Sequence, residues 1–285
     1  MAEQSNRTLG KTARKQGKPV MELNRYGLAR GQVPTAFNVG ARAYDRLVGA
    51  NPGYHRDLRA SARRLGIGDG SGLRLLDAGC GTGASTAALL AVAPRARITA
   101  VDASSEMLTC ARRKPWPKTV RFVQARIEEL VEIDEHNGPF DAIFAAYLIR
   151  NLDDPDAQLR AFRGMLRPGA RLAVHEYSVR DALRARMIWH AVCLGIIIPA
   201  GKLCTGDATL YRHLHRSVLA FDGAETFERR LRRAGFIDTA RATTVGWQRD
   251  IVHTFLARST ADDTPHRGSD PTGSALAGGE RSDLL

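Results

Sequence analysis

Apolar residues fall along this chain in short runs, at 73–78, 97–102, 119–124, 139–146 and 170–177, each bounded by turn-forming residues. Runs of that length and makeup read as strands. The longer segments between them read as helices, and such alternation predicts a parallel sheet covered on both faces. Two further strand candidates, 237–246 and 250–258, are joined by Gly246-Trp247-Gln248-Arg249 and read as a hairpin with few residues in its turn. The expected fold is therefore α/β: a doubly wound, Rossmann-like sheet, mostly parallel, with a terminal antiparallel hairpin. Ligands of such sheets lie at the carboxyl ends of the strands, which puts Asp77, Asp102, residues 147–151 and Glu176 on one rim.

The helix at 225–233 shows how the charge is arranged. Phe227 and Leu231 stand one turn apart and are expected to turn inward, with the arginines facing out. The most apolar segment, Met187 to Ala200, carries His190 and Pro199 and is too short for a bilayer, which takes roughly 20 residues. Three readings stay open for it: a pocket lining for a greasy chain, a segment that dips into a membrane surface, or a plain buried helix. Residues 1–33 form a polar, basic arm and residues 260–285 a Gly-, Ser- and Asp-rich tail. Both are expected to stay disordered, leaving one domain at 34–259.

With 285 residues, 44% of them hydrophobic, the chain can bury one large core. Its formal net charge of +12 suits nucleic acid or anionic lipid, but solvated helix faces account for most of it. Cys80, Cys110, Cys193 and Cys204 form no Cys-x-x-Cys pair, and the first residues contain no apolar signal core. Those features predict a reduced, cytoplasmic chain without structural zinc. His175, His190, His213, His215 and His253 share no metal-ligand spacing except His213-x-His215, which a helix points in different directions; no metal is expected.

Chemistry concentrates at Asp77-Ala78-Gly79-Cys80-Gly81-Thr82-Gly83, where a strand runs into an acidic residue and then into alternating glycines. Glycine permits positive φ and lets a backbone lie directly against a ligand. A dinucleotide fingerprint reads Gly-x-Gly-x-x-Gly, whereas this loop is Asp77-x-Gly79-x-Gly81-x-Gly83, which favours S-adenosylmethionine over NAD. Asp102 ends the second strand, where a carboxylate can accept both ribose hydroxyls. Ser104 stands at a plausible N-cap, and Met107, one turn in, can lie on an adenine face.

This arrangement resembles the class I S-adenosylmethionine-dependent methyltransferases over roughly residues 37–258. The resemblance implies that Asp77, Gly79, Gly81 and Gly83 surround the methionine end of the cofactor, Asp102 takes the ribose and Met107 flanks the adenine. One departure is Arg126, which stands where related sequences carry Asp or Asn to read the adenine amino group; a backbone amide or Glu128 is the expected replacement.

A closer resemblance lies in Phe37 to Asp45, in Tyr147-Leu148-Ile149-Arg150-Asn151-Leu152 and in Asp207 to Leu214. Together these are similar to the ubiquinone/menaquinone biosynthesis C-methyltransferase family, which methylates a ring carbon of a prenylated quinol. On that likeness Arg150, Asn151 and Tyr44 are the catalytic candidates, Arg150 stabilising a developing phenolate while Asn151 and Tyr44 orient a water. The residues themselves also allow Arg150 to pair with Asp153 or Asp154, Asn151 to cap the helix near Asp154, and Tyr44 to be core. After Tyr44-Asp45 the family continues Met-Asn-Asp, whereas this chain has Arg46-Leu47-Val48-Gly49, which points to a different acceptor.

The expected activity is methylation of a lipophilic small molecule, first at the ring carbon of a quinol or phenol. The alternatives are O- or N-methylation of a natural product or phospholipid and, in other classes, a basic nucleic-acid-associated protein or a noncatalytic scaffold. Peripheral membrane contact and a homodimer are expected, and specific nucleic-acid binding is not.

Overall fold

In the computed structural model, which describes residues 51–132 and 138–260, the apolar runs form one seven-stranded sheet. Its strands are β1 Arg74–Ala78, β2 Arg97–Asp102, β3 Val120–Gln124, β4 Phe140–Ala146, β5 Leu166–Tyr177, β6 Ile237–Thr243 and β7 Val252–Arg258. They lie in the order β3-β2-β1-β4-β5-β7-β6, with β7 antiparallel to both neighbours and all other pairs parallel. The order reverses between β1 and β4, the place where an open α/β sheet leaves a crevice for a ligand. The expected arm at 1–33, Tyr44 and nearly all of the 260–285 tail lie outside the described residues.

The helices are α1 Tyr54–Arg63, α2 Ala84–Val92, α3 Ser105–Arg112, α4 Pro155–Met165, α5 Leu183–Val192, α6 Ile198–Thr205, α7 Thr209–Ala220 and α8 Ala224–Arg233. Strand alternation divides the apolar side chains between two layers. Leu76, Ala78, Ile143 and Ala145 turn to one face and pack with Phe162 of α4 and Phe227 and Leu231 of α8. Leu75, Ile98, Ala142 and Phe144 turn to the other, against Leu58 of α1 and Leu89 of α2. On α8 the sequence pattern holds: Phe227 and Leu231 are buried while Arg229, Arg232 and Arg233 are exposed. Arg230 is the exception, half-buried between Asp222 and Asp156 at 2.7 Å from each.

Three elements differ from the sequence reading. β5 begins at Leu166 rather than 170, because α4 stops at Met165 and the chain turns straight into the sheet. The terminal hairpin has a long connection, with β6 ending at Thr243 and β7 starting at Val252. Thr244 Oγ1 donates to the Gln248 carbonyl at 2.8 Å, and the Asp250 amide donates to Thr243 Oγ1 at 2.6 Å, so side-chain bonds stand in for ladder bonds there. The third difference is the apolar segment. α5 continues through a wide π turn, Cys193–Ile197, into α6, giving a helix of 23 residues, Leu183–Thr205. By length and composition alone it can cross a membrane, so the expected shortness was wrong. Nor is it a buried helix, since most of its surface is exposed.

Candidate active site

β1 delivers Asp77 into the interior at the sheet's carboxyl edge. Ser85 and Thr86, in the first turn of α2, both donate to its Oδ2, at 2.8 and 2.6 Å. Its Oδ1 is buried with no hydrogen-bonding partner. Burial raises the Asp77 pKa from 3.8 to about 7, against the pull of the two hydroxyls. A buried acceptor of this kind is complementary to a cationic amine, which would lower the pKa again.

Gly79, Gly81 and Gly83 all have positive φ, at 72°, 54° and 92°. Their surroundings differ. A Cβ at Gly79 would stand 3.0 Å from Leu148, and one at Gly83 would stand 2.8 Å from the Trp116 ring, while Gly81 has no atom within 4 Å of that position. Gly81 therefore faces open space, whereas its neighbours are glycine because other side chains pack on them. Trp116, whose Nε1 donates to the Ala111 carbonyl at 2.7 Å, thus seals the outside of the loop. Lys114 Nζ joins it, donating to the Thr82 carbonyl at 2.8 Å. The sequence reading missed both, since neither lies in a recognisable motif.

Asp102 closes the loop from β2, its Oδ2 accepting from the Gly81 amide and its Oδ1 from the Ser104 amide, both at 2.8 Å. Burial raises its pKa, and the two amides oppose this. Each oxygen keeps a further lone pair for a hydroxyl donor. Ser104 caps α3 as expected, its Oγ accepting from the Met107 amide at 3.1 Å, and the Met107 side chain is buried. Arg126 is turned to Glu128 at 3.4 Å and Glu129 at 3.9 Å.

On the other side of the β1–β4 crevice, the chain leaving β4 passes through Tyr147 with φ 56°, a left-handed conformation that is costly for a bulky residue and recurs at functional sites. Tyr147 stacks on Tyr54 at 5.7 Å and tilts against Tyr177 at 4.9 Å. Its hydroxyl lies 3.2 Å from His175 Nε2. Burial depresses the His175 pKa to about 3, so this imidazole is neutral.

Arg150 is buried beside it. Its Nη1 meets Glu176 Oε1 at 2.6 Å and the Tyr147 carbonyl at 2.8 Å. Burial raises the pKa of fully buried Glu176, and the Arg150 charge opposes the rise. The acid paired with Arg150 is thus Glu176, ahead of the Asp153 or Asp154 suggested by sequence proximity. Asp154 itself caps α4, accepting from the Ala157 amide at 2.9 Å, so Asn151 is not the cap. Instead Asn151 Nδ2 donates to the Tyr147 carbonyl at 3.1 Å, and its Oδ1 lies 3.4 Å from His213 Nε2. A carbonyl only accepts, which fixes the Asn151 amide orientation. Its Oδ1 then requires an N–H from His213, leaving Nδ1 as that ring's proton-accepting nitrogen.

These residues border a cavity of about 520 Å³. Tyr54, Tyr147, Tyr177 and Trp247 supply aromatic walls, and Ile188, Val192, Ile197 and Ala200 of the long helix supply an aliphatic one. Arg150 and His213 bring the nitrogen-bearing groups; Asn151 acts on His213 from behind. Leu148, next to Tyr147, packs on Gly79, so the cavity adjoins the glycine loop. His215 turns away from His213 to His190, at 3.1 Å. Among the described residues no three His, Cys, Asp or Glu side chains are grouped to hold a metal.

Comparison with known proteins gives this geometry its context. The model of the ubiE/COQ5 methyltransferase family matches residues 28–247. A demethylmenaquinone methyltransferase of Clavibacter sepedonicus is 31% identical over 207 residues, 72% of this chain and 82% of that enzyme. A ubiquinone/menaquinone biosynthesis C-methyltransferase of Vibrio parahaemolyticus is 33% identical over 59% of this chain and 66% of its own length. Among solved structures, human N-acetylserotonin methyltransferase in complex with S-adenosylmethionine shares the fold with TM-score 0.56 at 17% identity, covering 84% of this chain and 62% of that one. The [4+2]-cyclase SpnF does so with TM-score 0.57 at 19% identity, covering 81% and 96%. The orphaned Asp77 oxygen and the open face of Gly81 fit the cofactor that the family uses, and the chain belongs to the ubiE/COQ5 methyltransferase family as an S-adenosylmethionine-dependent methyltransferase.

Proposed function

We propose that this enzyme methylates a ring carbon of a lipophilic hydroxylated aromatic, a quinol or a phenol. The observation that carries the reading is the cavity: apolar and aromatic along its length, with Arg150 and His213 in its wall and the glycine loop next to it. Its size is that of a small-molecule site. The names of the Clavibacter and Vibrio relatives agree with this acceptor class.

The bound cofactor supplies an electrophilic methyl group on a sulfonium. Asp77 Oδ1 would hold its ammonium and Asp102 its ribose hydroxyls, with Gly79, Gly81 and Gly83 giving the backbone room and Met107 lying against the adenine. The protein's own work is on the acceptor. A ring carbon becomes nucleophilic when the neighbouring hydroxyl loses its proton, and His213, in the cavity wall, is assigned to take it. Asn151, donating to Tyr147 and accepting from His213, holds the imidazole in the tautomer that can do so, and is a positioning residue. The Arg150 charge stabilises the developing phenolate while Glu176 keeps it in place. With the cofactor bound, that ring carbon would be the nucleophile for its methyl group; the ring proton the methyl displaces would pass to solvent water, while the imidazole returns its own proton to the hydroxyl oxygen. Tyr44 is proposed, from the family resemblance alone, to take part by orienting water.

The test is an anaerobic incubation with methyl-labelled S-adenosylmethionine and a prenylated naphthoquinol, with the product's methyl position read by NMR. A methyl on ring carbon supports the proposal. An ether methyl, or transfer only to a phospholipid amine, contradicts it.

A further inference from the structure

The inner face of the Leu183–Thr205 helix lines the cavity, but its outer face is also apolar. Leu183, Met187, Leu194 and Leu203 are 66%, 63%, 60% and 87% exposed, and Ala191 and Pro199 continue the same side. Exposed large apolar side chains in such a row mark a surface built for a partner. We propose that this face docks on a bilayer containing anionic lipid.

Charge identifies the partner. The helix carries Arg184, Arg186 and Lys202 and no acidic residue, and α7 beside it carries exposed Arg212 and Arg216, again with no acid. Basic groups flanking an apolar stripe are the signature of a helix lying in a membrane interface, where anionic headgroups meet the cations and acyl chains meet the stripe. The opposite face excludes spanning: Trp189 and Cys193 are buried against Tyr177, Val218 and Ile251, so the helix cannot offer apolar surface all round without leaving its own fold. Access points the same way. Ile196 is at once 62% exposed and part of the cavity wall, so the cavity reaches the face that meets lipid. A ligand with a long apolar tail can thus enter from the bilayer without passing through water.

The test uses the full chain and needs no turnover, so its failure is separate from any failure of the proposed acceptor. Flotation is measured with phosphatidylcholine vesicles with and without phosphatidylglycerol, at low and high salt. Binding to the phosphatidylglycerol vesicles, weakened by salt, is expected. The triple variant Leu183→Gln, Met187→Gln, Leu194→Gln lowers it by about tenfold or more while S-adenosylmethionine affinity stays unchanged. A second reading needs no change to the stripe: a polarity-sensitive fluorophore on exposed Cys204, in a Cys110→Ser chain, shifts to the blue on adding those vesicles. Absence of flotation, equal flotation of the triple variant, an unshifted fluorophore, or a wild-type dimer that the triple variant dissociates would each overturn the proposal.

Discussion

The cofactor loop and the acceptor cavity face each other across one crevice but are built by opposite means. The loop is backbone: three positive-φ glycines, amides tied to Asp102, and one carboxylate oxygen left over at Asp77. The cavity is side chain, drawn from Tyr54 in α1, Tyr147 after β4, Tyr177 at the end of β5, the long helix, α7 and Trp247. A loop of this kind fails when a Cβ is added and tolerates much else. A cavity of this kind keeps its shape through buried polar contacts and fails when one partner is removed.

The largest effect should come on the cavity side. Arg150→Met strands the buried Glu176 carboxylate and should cost about 3–5 kcal/mol in a denaturant titration. Adding Glu176→Gln should recover much of that stability without restoring methyl transfer. On the loop side, Gly83→Val sets a branched side chain at φ 92° and against Trp116. It should weaken S-adenosylmethionine binding by roughly a hundredfold in calorimetry while leaving the cavity intact.

Titration sets Asp77 and His175 apart by sign. Burial raises Asp77 from 3.8 to about 7, so its contribution to stability is complete below pH 3.8 and is lost as pH rises through about 7. His175 is depressed from 6.5 to about 3, so its contribution is complete above pH 6.5 and is lost as pH falls through about 3. The slopes oppose each other in the wild type. Relative to the wild type, Asp77→Asn should shift the slope of stability against pH upward between about 4 and 6.5, and His175→Asn should shift it downward over the same window. Because a bound ammonium favours ionised Asp77, S-adenosylmethionine affinity should rise as pH approaches 7 in the wild type, and Asp77→Asn should lose the Asp77 part of that rise. The smallest effect, about 1 kcal/mol, is that of Asp154→Ala, which removes the α4 cap and touches neither region.

The same contrast explains what the sequence disclosed. Residues 77–107 hold the cofactor features in one stretch, so spacing alone revealed the loop, Asp102 and the Ser104 cap. The strands of the sheet were legible for the same reason, being local in period. Trp116 on Gly83 was not, because an aromatic packing on a glycine leaves no periodic trace. Glu176 as the partner of Arg150 was hidden by a sequence separation of 26, and nearby Asp153 and Asp154 were the obvious but wrong choices. His213 was visible within the Asp207 to Leu214 resemblance and as half of a poor metal pair, but no sequence signal assigned it a role. Its link to Asn151 exists because α7 folds over the end of β4, 62 residues away in sequence. The hairpin turn and the length of the apolar helix were misjudged because side-chain bonds at Thr243 and Thr244 lengthen the connection at the expense of the strands, while a π turn at Cys193–Ile197 carries the helix past its sequence signal.

His213→Gln tests the division of labour most directly, with S-adenosylmethionine affinity read by calorimetry and single-turnover methyl transfer followed across pH. The account predicts unchanged affinity and transfer slowed by roughly a hundredfold or more. Transfer at the wild-type rate, or a loss of cofactor affinity matching the loss of rate, would contradict it.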